Sequence, residues 1–115
     1  MAEPDTMQAM LKALSDDYAA KLPEKLGQIE QAWEQLPKDR WDEESFQNLH
    51  RMVHSLTGSG KTFGFALLSD AARKLEAYLK EIVQAKRVPG KEQCERVQVL
   101  LNELRQVALK RDTSN

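Results

Sequence analysis

Apolar residues recur every three or four positions along almost the whole chain, and no stretch alternates with the two-residue period of a half-buried strand. That pattern restricts the chain to an all-α fold. Met7, Met10, Leu11, Leu14 and Tyr18 outline a first helix. Leu22, Leu26, Ile29, Trp33 and Leu36 step by four and three along a second, with Pro23 suited to its first turn and Pro37 ending it. On a third, Phe46, Leu49, Val53, Leu56 and Phe63 share one face with Gly60 among them. Asp42 reads as its N-cap, with Ser45 as an alternative start, and Gly64 as its stop. Leu67, Leu68, Ala71, Leu75, Tyr78, Leu79 and Ile82 mark a fourth helix. After the Pro89-Gly90 turn, Val97, Leu100, Leu101, Leu104 and Val107 mark a fifth. Long amphipathic helices joined by short links predict an antiparallel four-helix bundle, the first helix being an additional N-terminal cap. The bundle core is expected over about 20–110 and a polar, frayed tail over 111–115.

At 115 residues the chain fits a single domain with a core of its own. A net charge of −1 gives no general attraction to nucleic acid or to an anionic membrane. No apolar run approaches the length of a membrane span, and the acidic start Met1-Ala2-Glu3-Pro4-Asp5 is unlike a signal peptide. Cys94 has no internal disulfide partner and reads as a small buried hydrophobe. The expectation is a cytoplasmic monomer.

One segment departs from these helix rules. His54-Ser55-Leu56-Thr57-Gly58-Ser59-Gly60-Lys61-Thr62-Phe63-Gly64 carries three glycines within a helical pattern, each costing about 1 kcal/mol relative to alanine in a helix interior. His54 lies roughly 130° around the wheel from the apolar stripe, so it faces solvent or a shallow groove. His50, Thr57 and Lys61 fall near it on the same side. Gly58, one turn past His54, removes a side chain where an approaching partner would otherwise collide. A nucleophilic nitrogen, a hydroxyl and an ammonium group on one surface suit an encounter with phosphate oxygens.

The run His54-Ser55-Leu56-Thr57-Gly58-Ser59, followed by Phe63-Gly64, resembles the signature of histidine-containing phosphotransfer (Hpt) domains. Thr62-Phe63-Gly64-Phe65 and the later Leu75-Glu76 resemble in particular the phosphotransfer domain of chemotaxis-type histidine kinases. The likeness covers nearly the whole chain. It implies that His54 is the phosphoacceptor, carrying phosphate on Nε2, and that Glu76 accepts the Nδ1 proton and so orients the ring. It also implies a phosphorelay in two-component signalling, between a histidine kinase or receiver domain and the aspartate of a response regulator. Such a domain is no enzyme by itself: the Mg²⁺-binding pocket belongs to the partner, and the chain needs neither cofactor nor metal of its own.

One residue departs from the resemblance. The family usually has a basic residue three after the histidine, and here Thr57 stands there. A hydroxyl donates a hydrogen bond but adds no charge, so Lys61 or Arg73 is expected to compensate. Thr57, Gly58, Lys61, Arg73, His50 and Gly64 are thus the candidate phosphoryl-stabilising and docking residues. Thr57 also leaves open a helical module that docks a receiver or kinase without transferring phosphate.

Other readings fit less well. Gly58-Ser59-Gly60-Lys61-Thr62 echoes a phosphate-binding loop, but position 55, where the first glycine belongs, is Ser55, and a helix rather than a strand precedes it. His50 and His54 have the i, i+4 spacing of metal ligands without the intervening glutamate or a third ligand. Trp33 lies on an apolar stripe and reads as core, and Trp41 as packing over the bundle end. Lys21, Glu24 and Lys25 read as a solvated face.

Overall fold

The computed structural model describes residues 3–111, with side chains from residue 6 onward. Four helices follow one another: α1 (Glu3–Glu34), α2 (Glu43–Thr62), α3 (Ala66–Ala85) and α4 (Lys91–Val107), with no strand among the described residues. α2 packs on α3, α3 on α4 and α1 on α2.

The two helices expected before residue 37 are one. α1 runs unbroken for 32 residues with Pro23 inside it rather than in a first turn. A mid-helix proline removes one hydrogen bond and crowds the preceding turn, at about 3 kcal/mol. Here the loss is outweighed by packing on both sides: Tyr18 and Leu22 before the proline and Ile29, Trp33 and Leu36 after it are all buried, while Pro23 itself points outward. The described residues hold no separate capping helix. At 1.5 Å per residue α1 extends about 48 Å against about 30 Å for a 20-residue helix, so its first turns outrun the bundle. Met7, Met10, Leu11 and Leu14 are accordingly 51–60% exposed, and the molecule measures 61 × 23 × 21 Å.

α2 begins after Asp42, whose side chain accepts from Ser45 Oγ at 2.6 Å instead of capping the backbone. Glu43 and Glu44 in its first turn and Lys61 in its last complement the helix dipole. The chain leaves α2 through Gly64, at φ +89, a left-handed conformation that favours glycine. Gly60 closes the same corner: a Cβ there would stand 3.3 Å from Leu68 Cδ2 and 3.4 Å from the Phe65 carbonyl oxygen and the Ser69 nitrogen. Its lack of a side chain lets the start of α3 lie against α2. The backbone amide of Gly90 donates to Gln93 Oε1 at 2.9 Å and starts α4.

Phe46, Leu49, Val53 and Leu56 from α2 meet Leu68, Ala72, Leu75, Leu79 and Ile82 from α3 and Val97, Leu100, Leu101 and Leu104 from α4 in one core. Trp33 belongs to that core, and Trp41 stacks on Phe46 at 4.4 Å between ring centroids. Several residues expected in the core differ, Leu26, Tyr78 and Val107 being only partly buried. Phe63 lies past the end of α2, half-buried and stacked on Tyr18 at 4.9 Å. Leu67, in the first turn of α3, is 51% exposed. Cys94 is half-buried. Of the tail expected at 111–115, positions 112–115 lie outside the described residues; Arg111 is held by Asp16 at 2.6 Å and lies over the Phe65 ring. No helix among the described residues is long and apolar enough to cross a membrane.

Candidate functional site

α2 carries its core residues on one side, and that register leaves His54 on the outer side. Its side chain is 69% exposed, and Nδ1 lies 2.5 Å from Oε2 of Glu76 on α3. Glu76 is only 19% exposed, so the pair consists of an accessible ring and a sheltered carboxylate. Burial works to raise the Glu76 carboxyl. Hydrogen bonds from His54 and Thr57, with the electrostatic pull of His54 and His50, outweigh it and hold the group below its ordinary value. An ionised carboxylate can only accept, so Nδ1 donates the shared proton, and it is the neutral form of the ring that has its lone pair on Nε2.

Thr57 lies one turn after His54, and its single hydroxyl proton is shared between the Val53 carbonyl, at 3.2 Å, and Glu76. It therefore belongs to the carboxylate's surroundings. The Thr57 carbonyl accepts from Ser69 Oγ at 2.6 Å. Ser69 is the one buried polar side chain among the described residues, and the sequence reading passed over it. It stands two turns before Glu76, on the same face of α3, and that spacing is the signal that could have found it. On the other flank the Tyr18 and Ser59 hydroxyls share a hydrogen bond of 2.6 Å, and Ser15 Oγ donates to the Phe63 carbonyl at 3.0 Å. α1 is thereby tied to the end of α2 that carries the glycines.

The remaining candidates divide. Gly58 is exposed and faces open space, with nothing within 4 Å of a Cβ built there. Lys61 is exposed in the last turn of α2. Gly64 shapes the corner described above. Arg73 pairs with Asp70 at 3.3 Å and lines a groove between α3 and α4 with Lys74 and Glu103, rather than the surface at His54. The His50 ring lies nearly parallel to that of His54, 6.4 Å away, and its buried Nε2 has no hydrogen-bond partner. No three His, Cys, Asp or Glu side chains come together as a metal site among the described residues.

A second flank was not anticipated. Between α1 and α2 a groove of about 570 Å³ is lined by Lys25, Gln28, Arg51, His54, Ser55 and Ser59, with Ile29, Met52 and Leu56 at its floor and walls. Lys25, read from sequence as merely solvated, faces this groove from α1. Arg51 stands three residues before His54, within one turn on the same helix.

The family model described as the Hpt domain matches residues 6–108. The chain belongs to the Hpt domain family. Hpt domains act in phosphotransfer in two-component signalling, as relay intermediates rather than enzymes in the ordinary sense, and they interact with kinases and response regulators. Neither the curated proteins nor the solved structures contain a match to the chain.

Proposed function

We propose that this Hpt domain relays a phosphoryl group through His54. Nε2 attacks the phosphorus of a receiver's aspartyl phosphate, or of a phosphoryl group delivered by a histidine kinase. The P–N bond forms as the bond from phosphorus to the leaving oxygen breaks, and the aspartate departs as a carboxylate. The attacking form is the neutral ring, with its lone pair on Nε2, so no proton need leave in the step. The proton on Nδ1 stays shared with Glu76, whose negative charge offsets the positive charge that develops on the ring. Transfer to a response-regulator aspartate is the reverse sequence. The acidic, Mg²⁺-binding pocket is the partner's contribution.

The observation that carries this reading is the contact between an exposed imidazole and a sheltered, ionised carboxylate. Gly58 and the open surface about it suit the docking of a receiver. The links 63–65 and 86–90 are too short to carry the chain back along a helix, which supports an antiparallel run for α2, α3 and α4. Both members of the pair come from one chain, in keeping with a monomer acting as a single domain.

The test is incubation with phosphoramidate, followed by intact mass and alkaline peptide analysis. A single acid-labile phosphoryl group on His54 is expected. His54→Gln should abolish it while helicity and melting stay nearly unchanged, because the side chain is exposed. Failure of the wild-type chain to label, beside a labelled control, would favour the docking module without transfer. The absence of a charge at Thr57 speaks for that alternative.

A further inference from the structure

We infer that the groove between α1 and α2 is a phosphoryl-binding subsite in which Lys25 and Arg51 balance the charge of the group carried by His54. The inference rests on His54 being the phosphoacceptor. With Nδ1 turned toward Glu76 on α3, Nε2 lies on the far side of the ring, and His54 itself lines the groove shared with α1. A phosphoryl group on Nε2 stands at the mouth of that groove. It carries close to two negative charges near neutral pH.

The lining is asymmetric. Lys25 and Arg51 bring two positive charges, and no carboxylate lines the groove. This is a local excess in a chain whose net charge is −1. The groove between α3 and α4 differs, since there Arg73 and Lys74 are matched by Asp70 and Glu103. Arg51 makes no ion pair among the described residues, so its guanidinium is available. Side chains on a helix lean toward its N-terminus, so His54 leans back over the turn that bears Arg51. Lys25 lines the groove from α1, its Nζ lying 5.3 Å from the ring centroid of Tyr18 on the same helix. The amide of Gln28 and the hydroxyl of Ser55 add uncharged donors.

The other cations are placed less favourably. Arg73 is engaged by Asp70. Lys61 starts about 10 Å farther along the helix axis, seven residues on. The titratable and charged groups around the ring are therefore Lys25 from α1, His50 and Arg51 from α2 and Glu76 from α3, with Lys61 beyond them. In the transfer step the new P–N bond places the phosphoryl oxygens beside Lys25 and Arg51, while the bond to the donor aspartate breaks on the side facing the partner.

The experiment labels the full chain with phosphoramidate and follows the ³¹P resonance of the phosphoryl group on His54 through a pH titration. The double variant Lys25→Gln/Arg51→Gln is compared with Lys61→Gln and Arg73→Gln. Removing the two cations disfavours the dianion and should raise the second ionisation of the phosphoryl group by about half a unit to one unit. Labelling should slow roughly tenfold. Lys61→Gln and Arg73→Gln should titrate like the wild type, and so should Arg51→Lys, which keeps the charge, whereas Arg51→Gln alone should show part of the shift. A purely structural role would not move this ionisation, and unchanged melting of the double variant checks the fold directly. Labelling at His54 with an unchanged titration in the double variant would overturn the subsite alone. No labelling of the wild type at His54 would overturn the phosphoacceptor reading and this inference with it.

Discussion

A methyl group added at Gly58 would meet nothing within 4 Å, whereas one added two residues on, at Gly60, would press on Leu68 and on the backbone of Phe65 and Ser69. Both positions lie on α2 and break the same propensity rule, yet they serve opposite faces. The inner face of the helix, with Phe46, Leu49, Val53, Leu56 and Gly60, is shaped by α3 and the rest of the core. The outer face, with His54 and Gly58, is bare. One helix thus separates what holds the domain together from what meets a partner, and the separation is set only by register. Substitutions on α2 should accordingly fall into two groups.

The largest expected effect is on the inner face. Gly60→Val has to push α3 away and should cost about 1–3 kcal/mol, read as a lower urea midpoint. Unchanged stability would mean that the corner is looser than its contacts imply. Gly58→Arg should not lower the midpoint and should leave labelling by phosphoramidate intact, while slowing transfer to a receiver domain by about tenfold or more, because only the protein partner needs the cleared space. Equal loss with both donors would place the effect on the chemistry instead of on docking. Gly58→Ala should gain up to about 1 kcal/mol from helix propensity alone.

The smallest effect concerns Glu76, which reaches the outer face of α2 from α3. Glu76 has a lowered folded-state value, so its contribution to stability is complete above the ordinary glutamate range and is lost as the pH falls through that lower value. Glu76→Gln should flatten the acid limb of stability against pH and slow labelling modestly, since an amide oxygen still accepts from Nδ1 but brings no charge. An acid limb as steep as the wild type's would assign the loss to other carboxylates.

How much of this could be read from the sequence follows from the range of the forces involved. The three later helices were legible because each carries an unbroken apolar stripe, and Asp42, Gly64 and Pro89-Gly90 mark the ends by local chemistry. The continuity of α1 was not legible at Pro23. Local propensity argues for a helix start there, and only the buried residues on either side reverse it. The exposure of Met7 to Leu14 was hidden for a related reason, since periodicity reveals a stripe but not whether a partner is long enough to cover it. Near His54, the outward direction of the ring followed from register within one helix. Its contact with Glu76 depends on how two helices align, and it came from the resemblance to Hpt domains. Lys25 was passed over because a lone charged residue on α1 shows nothing of the groove across from it. Thr57 was read as facing a phosphoryl group, whereas a helical threonine readily bonds back to the carbonyl four residues earlier, as this one does to Val53.

The buried hydroxyl of Ser69 has a consequence for motion. It grips the carbonyl of Thr57, the residue whose own hydroxyl approaches Glu76. Sliding α3 along α2 by even a fraction of a turn would strip that clasp and draw the carboxylate away from His54. The orientation of a ring out in solvent is thereby latched to the axial alignment of two helices beneath it. A partner that nudged that alignment would hold a mechanical handle on the nucleophile.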